Sequence, residues 1–123
     1  MSIILTLAPL PPGCVHAHFA GFAPPLDASA SGQAVQWLSI DIQHTATEDL
    51  NEAVELPCFS AIFGGLHPLS QPVTFGFSGG ALVATQYGKA LPCASAQPVQ
   101  GGALVTYNCR IHPWMSGALL VLA

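Results

Sequence analysis

Apolar residues recur along this chain in short runs broken by glycine and proline. The runs cover 3–7, 15–20, 33–40, 72–77, 81–87, 103–109 and 117–122, and Val, Ile, Thr, Phe and Tyr are frequent in them. Two runs alternate. In Val35-Gln36-Trp37-Leu38-Ser39-Ile40, the set Val35, Trp37 and Ser39 opposes the set Gln36, Leu38 and Ile40; farther on, Val73, Phe75 and Phe77 alternate with Thr74, Gly76 and Ser78. A period of two belongs to strands, because successive side chains point to opposite faces. With 12 Gly and 11 Pro in the chain, few stretches leave room for a helix of three turns. Short strands at regular spacing with turn signals between them predict an all-β sandwich or barrel. The single helical candidate is 46–56, which stops before Pro57 and holds four of the six acids, one or two turns at most. Residues 3–7 read as an edge strand. No repeat, low-complexity tract or linker divides the chain, so 1–123 reads as one domain.

Composition narrows the function. A chain of 123 residues can bury a core of its own. Only Lys89 and Arg110 are basic against six acids, for a formal net charge of -4. So few cations cannot displace counterions from a phosphate backbone, which excludes a nucleic-acid partner. Charged residues make up 7% of the chain, where about one-quarter is usual. The surface is therefore neutral with at least one apolar docking patch, or part of it is covered in a larger complex or at a membrane surface. No transmembrane segment is expected, since no apolar run reaches the length a bilayer demands. The apolar start has no basic residue before it and makes a poor signal peptide. Leu10-Pro11-Pro12-Gly13-Cys14 sits where a lipoprotein cleavage site could lie, but its two prolines argue against one.

The chemistry concentrates near the C-terminus, in Tyr107-Asn108-Cys109-Arg110-Ile111-His112-Pro113-Trp114-Met115-Ser116-Gly117. A thiol, an imidazole and a thioether stand at i, i+3 and i+6, so one loop between two strands can aim all three at one point. Soft sulfur with imidazole selects copper, and two His plus one Cys with a weak axial Met make a blue-copper electron-transfer site. The second imidazole must come from elsewhere. His44, at the end of the Trp37–Ile40 strand, is the best candidate, whereas His16 and His18 alternate on one strand face and His67 lies in a Gly-Gly-Leu-His-Pro turn. Taken singly, Cys109 could be a buried thiol, Met115 core filler and His112 a turn residue; their joint spacing is what points to a metal. Of the other cysteines, one pair is expected to form a disulfide. Cys58 with Cys93 is the first choice because both follow prolines in loop-like stretches, and pairings through Cys14 stay open.

With these residues in place, the sequence resembles the cupredoxins, in loop length the amicyanin and plastocyanin-like branch. Tyr107, Cys109, His112, Pro113, Met115, Gly117 and Val121 match the family's C-terminal pattern. Phe22-Ala23-Pro24, Gly32 to Trp37, Asp41 and His44-Thr45-Ala46-Thr47 match its N-terminal half. Gln43 departs from it, standing where relatives often carry proline, and 78–101 looks like an insertion. The resemblance implies a Greek-key β-sandwich and one type 1 copper, cycling between Cu(I) and Cu(II), held by His44, Cys109, His112 and Met115. It implies one-electron transfer without substrate turnover, and docking of redox partner proteins at an apolar patch around His112. A backbone N–H of residue 111 or 112 and the side chain of Thr45 or Asn108 are expected to tie the ligand loops together. Two other readings share the ligands or the fold: a copper chaperone or storage protein, and a structural subunit of a larger assembly. Copper chemistry and a disulfide point to a periplasmic or other extracytoplasmic compartment.

Overall fold

The computed structural model describes residues 2–9, 19–23, 26–40, 42–49, 56–112 and 114–123. They form twelve strands: β1 (Ser2–Pro9), β2 (Phe19–Ala23), β3 (Leu26–Ala30), β4 (Ala34–Leu38), β5 (His44–Glu48), β6 (Ser60–Phe63), β7 (Val73–Ser78), β8 (Ala81–Gln86), β9 (Lys89–Pro92), β10 (Gln97–Val99), β11 (Gly102–Asn108) and β12 (Ser116–Leu122). No helix occurs among the described residues. One sheet runs β2-β1-β4-β7-β8-β9 and the other β3-β12-β11-β5-β6. β11 shares one edge between β10, at its start, and β5, at its end.

Alternation builds the core. Val35 and Trp37 of β4, Val73 and Phe75 of β7, and Leu82 and Ala84 of β8 face Ala46, Ala61, Phe63, Val105, Tyr107, Leu119 and Val121 of the other sheet, all buried. Trp37 anchors this layer, stacked on Phe59 at 5.6 Å and edge-on to Tyr107 at 5.4 Å. Such aromatic pairs add stability beyond their buried area. Across the gap between sheets, the Gln86 amide makes two hydrogen bonds to the main chain of Ser60: it accepts from the N–H at 3.1 Å and donates to the carbonyl at 3.0 Å.

The structure corrects two expectations. Residues 3–7 are not an edge strand, because β1 lies between β2 and β4 and pairs with both. Which strands flank it is decided by the order of the whole sheet and not by the composition of the run. The helical candidate 46–56 begins inside β5, paired to β6 and β11; Thr45 and Thr47, β-branched, favour the pleat over a helix, and 50–55 lie outside the described residues. The stretch 78–101 contains β8, β9 and β10. It is tied to the core by a Cys58–Cys93 disulfide, the pairing favoured above. Cys14, His16 and His18 lie outside the described residues, and His67 is exposed in a turn closed against Gly64.

Candidate metal centre

The inward alternation of three strands delivers the candidate donors to one end of the sandwich. Along β11, Ala103, Val105 and Tyr107 point into the core, and Cys109, two residues on, continues that face. Along β12, Gly117, Leu119 and Val121 point inward, so Met115, two residues earlier, does too, at 1% exposure. Along β5, Ala46 and Glu48 are inward and so is His44, at 1% exposure. β5 and β11 are antiparallel, and the first residue of one therefore lies near the end of the other. His112 comes from the connecting loop and is half-buried.

Three donor atoms converge. Cys109 Sγ lies 3.9 Å from His44 Nδ1 and 3.7 Å from His112 Nδ1, and the two ring nitrogens are 3.1 Å apart. The point equidistant from the corners of that triangle is about 2.1 Å from each, while nitrogen and sulfur bind a metal such as zinc at about 2.0–2.3 Å. One cysteine sulfur and two imidazoles presenting Nδ1 to a common centre thus fit a first-row metal ion by distance. By donor type, with a thioether buried alongside, they suit copper.

Hydrogen bonds from neutral groups hold this arrangement. The Thr45 N–H donates to Cys109 Sγ at 3.3 Å and the His112 N–H does so at 3.4 Å. The Arg110 N–H donates to Thr45 Oγ1 at 2.8 Å, so Thr45 ties β5 to the Cys109 loop. The loop closes on itself: the Cys109 N–H donates to the Met115 carbonyl at 3.0 Å and the Met115 N–H to the His112 carbonyl at 2.9 Å. Of the ties expected from the sequence, those of Thr45 and the residue 112 N–H are present. His112 stands edge-on to Trp114 at 5.3 Å, and Trp114 is 57% exposed.

A second group of metal-ligating residue types, Glu48 with Cys58 and Cys93, also clusters. Its sulfurs are bonded to each other and are not thiolates. Glu48 is instead a buried anchor: Oε1 accepts the Cys58 N–H at 2.7 Å, and Oε2 accepts the Ser95 N–H at 3.1 Å and its hydroxyl at 2.6 Å. Sequence reasoning assigned Glu48 no such role and passed over Thr47 and Ser60, whose hydroxyls meet at 2.8 Å. The Thr-x-Thr spacing of 45 and 47, two side chains on one strand face, was the available signal.

The fold is cupredoxin-like. It is similar to a proline-to-glycine mutant of amicyanin in its reduced Cu(I) form, at TM-score 0.54 and 15% identity over 98% of this chain and 81% of that one. It is also similar to a Cu-containing nitrite reductase from Thermus scotoductus SA-01, at TM-score 0.51 and 17% identity, over 99% of this chain but 28% of that one. A purple cupredoxin from Nitrosopumilus maritimus aligns at TM-score 0.47 and 15% identity, over 97% of this chain and 98% of that one. No protein-family model and no curated protein matches the chain.

Proposed function

We propose that this protein is a type 1 copper electron carrier. His44, Cys109, His112 and Met115 would hold the ion, and one electron would pass between partner proteins at a time. The convergence of one thiol and two Nδ1 atoms on a centre about 2.1 Å away carries the reading. Copper, when bound, supplies the one-electron couple. The chain's part is to keep the donors still, because electron transfer is fast only if little moves between oxidation states. Main-chain N–H groups of Thr45 and His112 stabilise the thiolate, and Thr45 and the Cys109–Met115 contact resist rearrangement of the loop. Four donors leave no open position for a substrate, which favours a carrier over an enzyme.

Partner proteins dock, in this reading, on the apolar rim around His112. Ile111 and Trp114 flank that residue, and Leu66 and Ile42 project from neighbouring loops, each at least 48% exposed. With two basic residues in the whole chain, docking is apolar. The bimolecular electron-transfer rate should change little with ionic strength, and a steep salt dependence would contradict this. The Cys58–Cys93 disulfide supports a periplasmic or other extracytoplasmic setting.

The test is a visible spectrum on addition of Cu(II). An intense thiolate-to-copper band is expected in the wild type and lost in Cys109→Ser. A wild-type protein that stays colourless and holds only Cu(I) would sink the carrier assignment in favour of copper delivery.

A further inference from the structure

The tie between Thr45 and the Cys109 loop does not stand alone. Thr45 and Thr47 share one face of β5, opposite to His44 and Ala46. Thr47 Oγ1 donates to Thr45 Oγ1 at 3.1 Å. A threonine hydroxyl has a single proton. With that proton given to Thr45, the 2.8 Å contact between Thr47 and Ser60 must have Ser60 as donor. The order is therefore set: Ser60 to Thr47 to Thr45. Ser60 lies directly across from Thr47 in the β5–β6 ladder, and its main chain is gripped by Gln86 from the other sheet. At the far end, Thr45 Oγ1 accepts both the Thr47 hydroxyl and the Arg110 N–H. Both of its lone pairs are engaged, so it cannot turn without breaking one bond or the other. Thr47 is fully buried.

We infer that Thr47 and Ser60 are positioning residues for the metal centre: their hydroxyl chain locks the Thr45 side chain, and through it the Arg110 N–H and the Cys109 thiolate. This inference rests on the proposed copper site for its spectroscopic consequence only; the mechanical consequence stands in the metal-free protein. Thr47→Val keeps the β-branched shape and removes the proton that Thr45 receives. Thr47→Ser keeps the hydroxyl.

Two measurements decide it. In metal-free protein, amide hydrogen exchange at Arg110 should speed up roughly three- to tenfold in Thr47→Val, the equivalent of about one net hydrogen bond, and return to the wild-type rate in Thr47→Ser. Core amides such as those of Val105 and Leu119 should keep their rates. In copper-loaded protein, Thr47→Val should move the thiolate band and the reduction potential, and Thr47→Ser should restore both. Ser60→Ala, which breaks the chain one link earlier, should act in the same direction with smaller amplitude. The inference is overturned if Thr47→Val leaves Arg110 exchange at the wild-type rate, or if core amides accelerate equally, since that would be general loosening. If wild type shows no thiolate band, the copper reading fails, and the exchange experiment still judges the hydroxyl chain.

Discussion

Glu48 offers a sharp test of what holds β5 in place. Its carboxylate is 1% exposed and accepts three hydrogen bonds, from the Cys58 N–H and from the N–H and hydroxyl of Ser95. Consider Glu48→Gln, which preserves size and replaces one oxygen by an amide NH2. The remaining oxygen will serve the Cys58 N–H, at 2.7 Å the shorter of the two main-chain contacts. The new NH2 then faces Ser95. The serine hydroxyl can turn to accept from it, but the Ser95 N–H is left pointing at a donor. The variant loses a charge-assisted bond, at about 1.5–3 kcal/mol, and orphans a partly buried N–H, at about 1–3 kcal/mol. Relief from burying a charge offsets part of that. The net loss should be about 2–4 kcal/mol, and for a domain of this size the melting temperature should fall by roughly 8–15 °C. Thermal unfolding followed by circular dichroism, with copper absent, measures it. A double-mutant cycle with Ser95→Ala isolates the pair, and a coupling of about 1 kcal/mol or more is expected. A Glu48→Gln protein that melts within about 1 °C of wild type would refute the anchor.

Two further outcomes follow from the same physics. Replacing Cys58 and Cys93 together by alanine opens a closure spanning 35 positions, which by chain entropy should cost about 3–4 kcal/mol in chemical denaturation; a loss below about 1 kcal/mol would mean the loop is held by other contacts. Gly117→Ala should destabilise by about 1–3 kcal/mol through overpacking, because a Cβ there would lie 2.5–2.7 Å from three atoms of the buried Tyr107 side chain; unchanged stability in the same assay would show that Tyr107 can yield.

Local pattern determined much of this molecule. Alternation in 33–40 and 72–77 marks β4 and β7, since a strand's side-chain period survives any tertiary arrangement. The spacing of Cys109, His112 and Met115 is equally local, because seven residues between two paired strands have few ways to close. Other features needed three dimensions. Residues 44–48 sit in a stretch rich in acids, and only pairing to β6 and β11 makes them strand. Whether 3–7 lies at an edge depends on which strands flank it, something no property of the run itself encodes. His44 stands 65 positions before Cys109 in the chain, and sheet register alone brings their donor atoms to 3.9 Å. The same holds for Glu48 on Ser95 and for the hydroxyl chain of Ser60, Thr47 and Thr45: each hydrogen bond is short in space and mostly long in sequence, and directional contacts of that kind come into being only when separate strands are set side by side.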